Sequence, residues 1–203
     1  PEFYAGADYT SGNGWLAGGG VHLISLKPRT SSVWNEKTYK VNERMTTFSY
    51  EAHVKYTGRN FAFAAKSLMA SCLDHTALIG AYGISSINPD NAEQEYTPLR
   101  HSTSWVNFTY GTKWKGHFFA GYTKNMGTAD ALASSTKYGM GLDIDQVFST
   151  NIAFSYNLPH WQIGMEYMPT TAWYGDTDRA SGKVVNTHSV TNHRILGLVM
   201  YYF

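Results

Sequence analysis

Between Met45 and Tyr56 the chain alternates residue by residue. Phe48, Tyr50, Ala52, Val54 and Tyr56 fall on one side, and Thr47, Ser49, Glu51, His53 and Lys55 on the other. A period of two is the signature of a strand with one apolar and one polar face. Phe148–Asn157 repeats it, with Phe148, Ile152, Phe154 and Tyr156 against Ser149, Asn151, Ala153, Ser155 and Asn157. So does Trp161–Thr170, with Trp161, Ile163, Met165 and Tyr167 against Gln162, Gly164 and Glu166. The same reading predicts strands at 2–9, 15–26, 60–69, 100–112, 115–124 and 190–203, and Ala77–Gly83 also looks extended. Helical periodicity is not sustained anywhere. The final stretch, His193–Phe203, reads as one strand ending on Tyr201, Tyr202 and Phe203.

Alternation alone fits a soluble barrel with an apolar interior as well as a membrane barrel with an apolar exterior. Composition separates them. Aromatic residues make up 15% of the chain and charged residues only 15%, against roughly a quarter charged in soluble domains. Aromatics gather near predicted strand ends, at Trp15, Tyr56, Trp105, Tyr110, Trp114, Tyr122, Tyr156, Trp161 and Trp173, as interfacial girdles require. Connectors alternate long and short. The expected fold is therefore all-β: a transmembrane antiparallel up-and-down β-barrel, with residues 1–203 as a single domain. Tyr56, Trp114, Tyr122, Tyr156, Trp161, Tyr201 and Phe203 are the expected membrane-interface aromatics.

Connector lengths also set strand direction. Thr57–Asn60, Lys113–Lys115 and Asn157–Trp161 read as periplasmic turns. Lys27–Asn42, 70–97 and Met126–Gly139 read as outer loops, Trp173–Asn192 contains another, and Ala77–Gly83 is a loop hairpin or constriction element. That assignment gives nine crossing strands, whereas bacterial single-chain barrels normally have an even number. The expectation is a carboxyl-terminal part of a longer barrel. The alternative makes Ala77–Ile84 a full strand and gives ten. Pro1-Glu2-Phe3 opens directly on strand-like sequence, with no basic and apolar leader pattern. A signal peptide is expected to have been removed or left out.

Candidate chemistry changes this picture little. Net charge is +1 and speaks against a nucleic-acid partner. Cys72 is the one cysteine, so neither a disulfide framework nor a paired-cysteine metal site is expected. His101-Ser102 and His188-Ser189 lack a third partner for nucleophilic catalysis. Asp143 and Asp145 share a face with no convincing histidine opposite, and the eight histidines show no metal-ligand spacing. No catalytic role, metal or cofactor is expected. Glu51, His53, Lys55, Lys66, Arg100, Lys115, Glu166 and Arg194 are instead expected to line a lumen and filter solutes by sign. Leu196, Leu198 and Met200 are the exception, an apolar row on the presumed inner side of the last strand.

Several stretches resemble the DcaP-like outer-membrane porins of Bacteroidetes. They are Glu95–Arg100 followed by Ser104–Gly111, Ala120–Gly127 with its Gly-Tyr-Thr-Lys-Asn run, Tyr138–Phe148 with Gly141-Leu-Asp-Ile-Asp145, Ala172–Gly175, and Asn192–Arg194. They run from about residue 50 to the end and match the carboxyl-terminal half of such proteins, which are about twice as long. The resemblance implies an oligomeric porin, such as a trimer, passing small hydrophilic or anionic solutes. It does not carry over an arginine-lined constriction, because Ser149-Thr150-Asn151 stands where members bear a basic residue. The expected function is passive or weakly selective passage of small hydrophilic solutes across the bacterial outer membrane. The alternative is a structural or accessory barrel subunit with a closed lumen, within a larger membrane complex. Expected partners are outer-membrane lipids and lipopolysaccharide, and the barrel-assembly machinery acting on strand 193–203.

Overall fold

The computed structural model describes residues 1–76 and 79–203. The strands are β1 (Glu2–Thr10), β2 (Trp15–Leu26), β3 (Ser31–Trp34), β4 (Lys37–Lys40), β5 (Met45–Thr57), β6 (Phe61–Ser71), β7 (Tyr82–Ile87), β8 (Gln94–Pro98), β9 (Arg100–Gly111), β10 (Trp114–Gly127), β11 (Lys137–Tyr138), β12 (Ile144–Asn157), β13 (Trp161–Thr177) and β14 (Val184–Tyr201). A single turn of 3-10 helix occupies Asp74–Thr76.

Nine of these strands form one antiparallel sheet in the order β1-β2-β5-β6-β9-β10-β12-β13-β14. Each strand pairs with its sequence neighbours within the sheet, which is an up-and-down arrangement. No pairing joins β1 to β14 among the described residues. The ten-strand alternative is corrected: β7 begins at Tyr82 and pairs with β8 and β11 in a separate small sheet. Ala77 and Leu78, part of the expected loop element, lie outside the described residues.

Short turns join the strands at one end. At Gly111 the backbone adopts φ 107°, and a Cβ there would collide with the Trp114 carbonyl, so this tight reversal requires glycine. The other end carries the long connectors, including the β3–β4 hairpin and the β11-β7-β8 sheet. A small apolar core forms there from Ile24, Met45, Cys72 and Ala81, with Tyr82 and Tyr96 against it. Burial pushes the Cys72 thiol up to about 12 and raises the Tyr82 and Tyr96 phenols.

The outer loop expected within Trp173–Asn192 is short. Trp173–Asn192 is mostly a long β13–β14 ribbon, paired from Trp173↔Ser189 out to Thr177↔Val184, with only residues 178–183 as its loop. Here the ribbon carries threonine, asparagine and histidine where the rest of the sheet carries apolar residues. Its ladder of backbone hydrogen bonds sustains it, and the Thr171–Thr191 pair at 2.8 Å stands just beneath it.

Candidate functional site: the inward face of the sheet

The two faces of the sheet differ as alternation predicts. Phe48, Phe154 and Ile163 are 48%, 52% and 49% exposed, whereas Ser49 is 1% exposed. At the short-turn end the outward aromatics form cross-strand ring pairs. Trp15–Tyr56 stand 4.8 Å apart, Trp114–Tyr156 4.2 Å and Trp161–Tyr201 4.8 Å, and Tyr201 meets Phe203 at 5.1 Å. Tyr122 also faces outward, nearer the long-loop end, where its hydroxyl donates to Gln146 at 2.5 Å. These pairs and Tyr122 sit at opposite margins of an apolar band, the arrangement a bilayer requires.

The inward face of β1–β6 carries a charged network. Tyr4 donates to Glu51 Oε1 at 2.6 Å, and Lys66 Nζ lies 2.9 Å from Glu51 Oε2. His53 stands between Glu51 at 3.3 Å and Asp8 at 3.2 Å. Glu51 is the hub, with its side chain only 8% exposed. Tyr4 lies flat over Gly6 and Gly20, where a Cβ would meet its ring. Near the long-loop end Glu2 accepts from His22 at 2.7 Å and from His75 at 3.0 Å. His75 belongs to the turn Asp74–Thr76, so the connector after β6 folds inward over the wall. Leu73 and Thr76 share with Tyr4, Glu51, Lys66 and Trp105 a concavity of about 620 Å³. Among the described residues no cluster of His, Cys, Asp and Glu could hold a metal ion.

Further round, β9–β14 line a second concavity of about 430 Å³. Phe119, Asn107, Asn151 and His117 form one side of it, and Glu166, Leu196 and Leu198 the other. Arg194 reaches Glu166 at 3.8 Å with its side chain half exposed. Hydroxyls along the wall pair with one another, as in Thr103–Thr123 at 3.0 Å and Ser149–Thr170 at 2.8 Å.

Of the residues expected to line a lumen, Glu51, His53, Lys55, Lys66, Lys115, Glu166 and Arg194 project from the inward face. Arg100 is a correction. It opens β9 on the face opposite His101 and donates to the Thr128 carbonyl at 2.9 Å, so it braces an outer connector. Trp105 is another: it lies inward beside Lys66 in mid-strand, away from both aromatic margins. His101 is fully buried and Ser102 points the other way, so they form no nucleophile pair. Asp145 accepts from Lys124 at 2.6 Å at the start of β12. Lys137 is held below the usual lysine range by burial and bonds Thr177 Oγ1 at 2.5 Å, tying β11 to the ribbon. Asp8, Tyr4 and Phe119 went unread in the sequence. Gly18-Gly19-Gly20 was the available signal, since glycines facing a wall leave room for an aromatic from the next strand.

No family model and no curated protein matches the chain. Among solved structures it is similar to OmpT, an outer membrane protein of Vibrio cholerae, at 18% identity with a TM-score of 0.50. That alignment covers 99% of this chain and 55% of OmpT, so the chain spans about half the length of that barrel. The porin NanC aligns at 11% identity and a TM-score of 0.35, over 100% of this chain and 93% of NanC. The fold is that of the outer-membrane β-barrels. Such barrels reside in the bacterial outer membrane.

Proposed function

We propose that the chain forms one wall of a porin-like channel in the bacterial outer membrane, passing small hydrophilic solutes passively or with weak selectivity. The observation that carries this reading is the opposition of the two faces. Glu51, His53, Lys55, Lys66 and Lys115 project to one side, and the apolar band with its aromatic margins lies on the other. In a bilayer only the first side can be wet. The connector carrying His75 narrows the passage, and the reading assigns no catalytic step to the wall.

The wall belongs to a larger barrel. Nine antiparallel strands leave β1 and β14 running in the same direction, so they cannot close on each other in an antiparallel ladder. An odd number of further strands between them satisfies both edges, whose backbone groups have no water to turn to within lipid. Copies of this wall in one membrane orientation would meet only through parallel edges. The finer placing, among DcaP-like porins, rests on the resemblance of the segments between Glu95 and Arg194 alone, with no family model or curated protein behind it.

Reconstitution into planar bilayers tests the channel. Stepwise ion current is expected, and a pure preparation that inserts without conducting would overturn it. A closed, accessory barrel is the second reading. Leu196 and Leu198, 42% and 40% exposed on the inward face, favour it by offering a plug an apolar seat.

A further inference from the structure

We propose that Trp105 and Phe119 form a stacking platform for neutral, polyhydroxylated solutes, the chemistry of a pyranose sugar, on the channel wall. This rests on the porin reading and adds a solute class to it. The two rings stand 6.2 Å apart, inclined at 35°, on adjacent strands. Gly121 lies beside both. A Cβ there would come within 2.9 Å of the Phe119 ring and 3.7 Å of Trp105 Cβ. Its absence lets the Phe119 ring lie along the wall and turn one face to the lumen.

Polar partners flank that face. Phe119 pairs with Asn107 across β9 and with Asn151 across β12, so a carboxamide stands on each side of the ring. Each carboxamide offers two donors and an acceptor, and neither is drawn into the hydrogen bonds of the wall among the described residues. The neighbouring hydroxyls are, through the Thr103–Thr123 and Ser149–Thr170 pairs. A pyranose presents an apolar C–H face and a rim of hydroxyls. It therefore matches an aromatic floor bordered by amides, a few polar groups fixing orientation over an apolar base.

Charge argues for neutrality of the ligand. Lys66, the cation beside Trp105, is held by Glu51 at 2.9 Å. Glu166 faces Arg194 at 3.8 Å. An anion arriving at the platform would have to compete with Glu51 for Lys66, and a cation with Arg194 for Glu166. An uncharged ligand disturbs neither pair.

The test is ion current through the protein in planar bilayers with maltotriose added to one side. Saturable interruption of the current is expected, with half-block in the millimolar range. Trp105→Ala with Phe119→Ala should raise the half-blocking concentration about tenfold or more, equivalent to about 1.4 kcal/mol, while open-channel current stays equal or increases. Trp105→Phe with Phe119→Tyr keeps the platform and should retain the block. A polyethylene glycol of matched size should give no saturable block. Equal block by the polymer, no block by maltotriose, or a block that survives both alanines would overturn the platform. Titration calorimetry of maltotriose in detergent micelles reads binding without current. Binding that needs both rings in a protein that conducts nothing would keep the platform and remove the channel; absent binding would remove the platform.

Discussion

Around Glu51 the inward wall is held together by charge, and around Leu198 it is nearly bare of it. On β1–β6 one carboxylate engages Tyr4, His53 and Lys66 together and is almost wholly covered by them. On β12–β14 the Glu166–Arg194 pair is long and exposed, and the surface beside it is Ala153, Gly164, Leu196 and Leu198. Both sectors belong to one sheet with one alternation, so backbone geometry does not account for the difference. Side chains in a wet lumen are free to vary as long as the outward face stays apolar. The charged sector fixes Tyr4 on the edge strand β1, whereas the bare sector imposes no such constraint on β14.

The largest effect should come from the hub. Glu51→Ala leaves Lys66, His53 and Tyr4 without their shared acceptor and is expected to cost about 2–3 kcal/mol. Urea titration followed by heat-modifiable gel mobility reads this. A loss below about 0.5 kcal/mol would mean the network is merely solvated. Adding a charge to the bare sector comes next. Leu198→Asp should move the reversal potential in a salt gradient toward cation preference with little change in stability, because no neighbouring cation neutralises it. An unchanged potential would place Leu198 away from the permeation path. Arg194→Ala should then cost less than about 1 kcal/mol, as exposed pairs do. A cost equal to that of the hub variant would erase the contrast between the sectors. The smallest signal is chemical: Cys72, buried in the small apolar core at the long-connector end and with its thiol pushed up to about 12, should resist maleimide at pH 8 until the protein unfolds. Rapid labelling of the folded protein would contradict its burial.

The nine crossing strands were legible in the sequence because lipid imposes an apolar residue at every second position, and Phe48, Tyr50, Phe154 and Ile163 obey it. Legibility ended where lipid does. The β13–β14 ribbon beyond Trp173 carries Ser189, His188 and Thr187 and keeps no apolar row, so it went unread as strand although its backbone is paired on either side of one bulge. Arg100 misled for a related reason: a basic residue at a strand start suits a lumen or an outer brace equally, and only register against His101 decides. Within the site, the charged residues were visible as polar positions, but their convergence on Glu51 was not. That convergence comes from cross-strand register, which places His53 opposite both Gly18 and Lys66. Trp105 was misread as a girdle residue because an aromatic in a barrel strand is usually outward. Its parity with Lys66 in the ladder puts it inside.

The role of the wall turns on which face meets lipid, and neighbouring residues on one strand can be asked directly. Nitroxide labels at positions 151 and 152, each in a Cys72→Ser background and reconstituted in vesicles, report collision with oxygen and with a water-soluble nickel chelate. The account predicts that the label at Ile152 collides preferentially with oxygen and the label at Asn151 with the chelate. Reversed preferences, or the same preference at both positions, would contradict it.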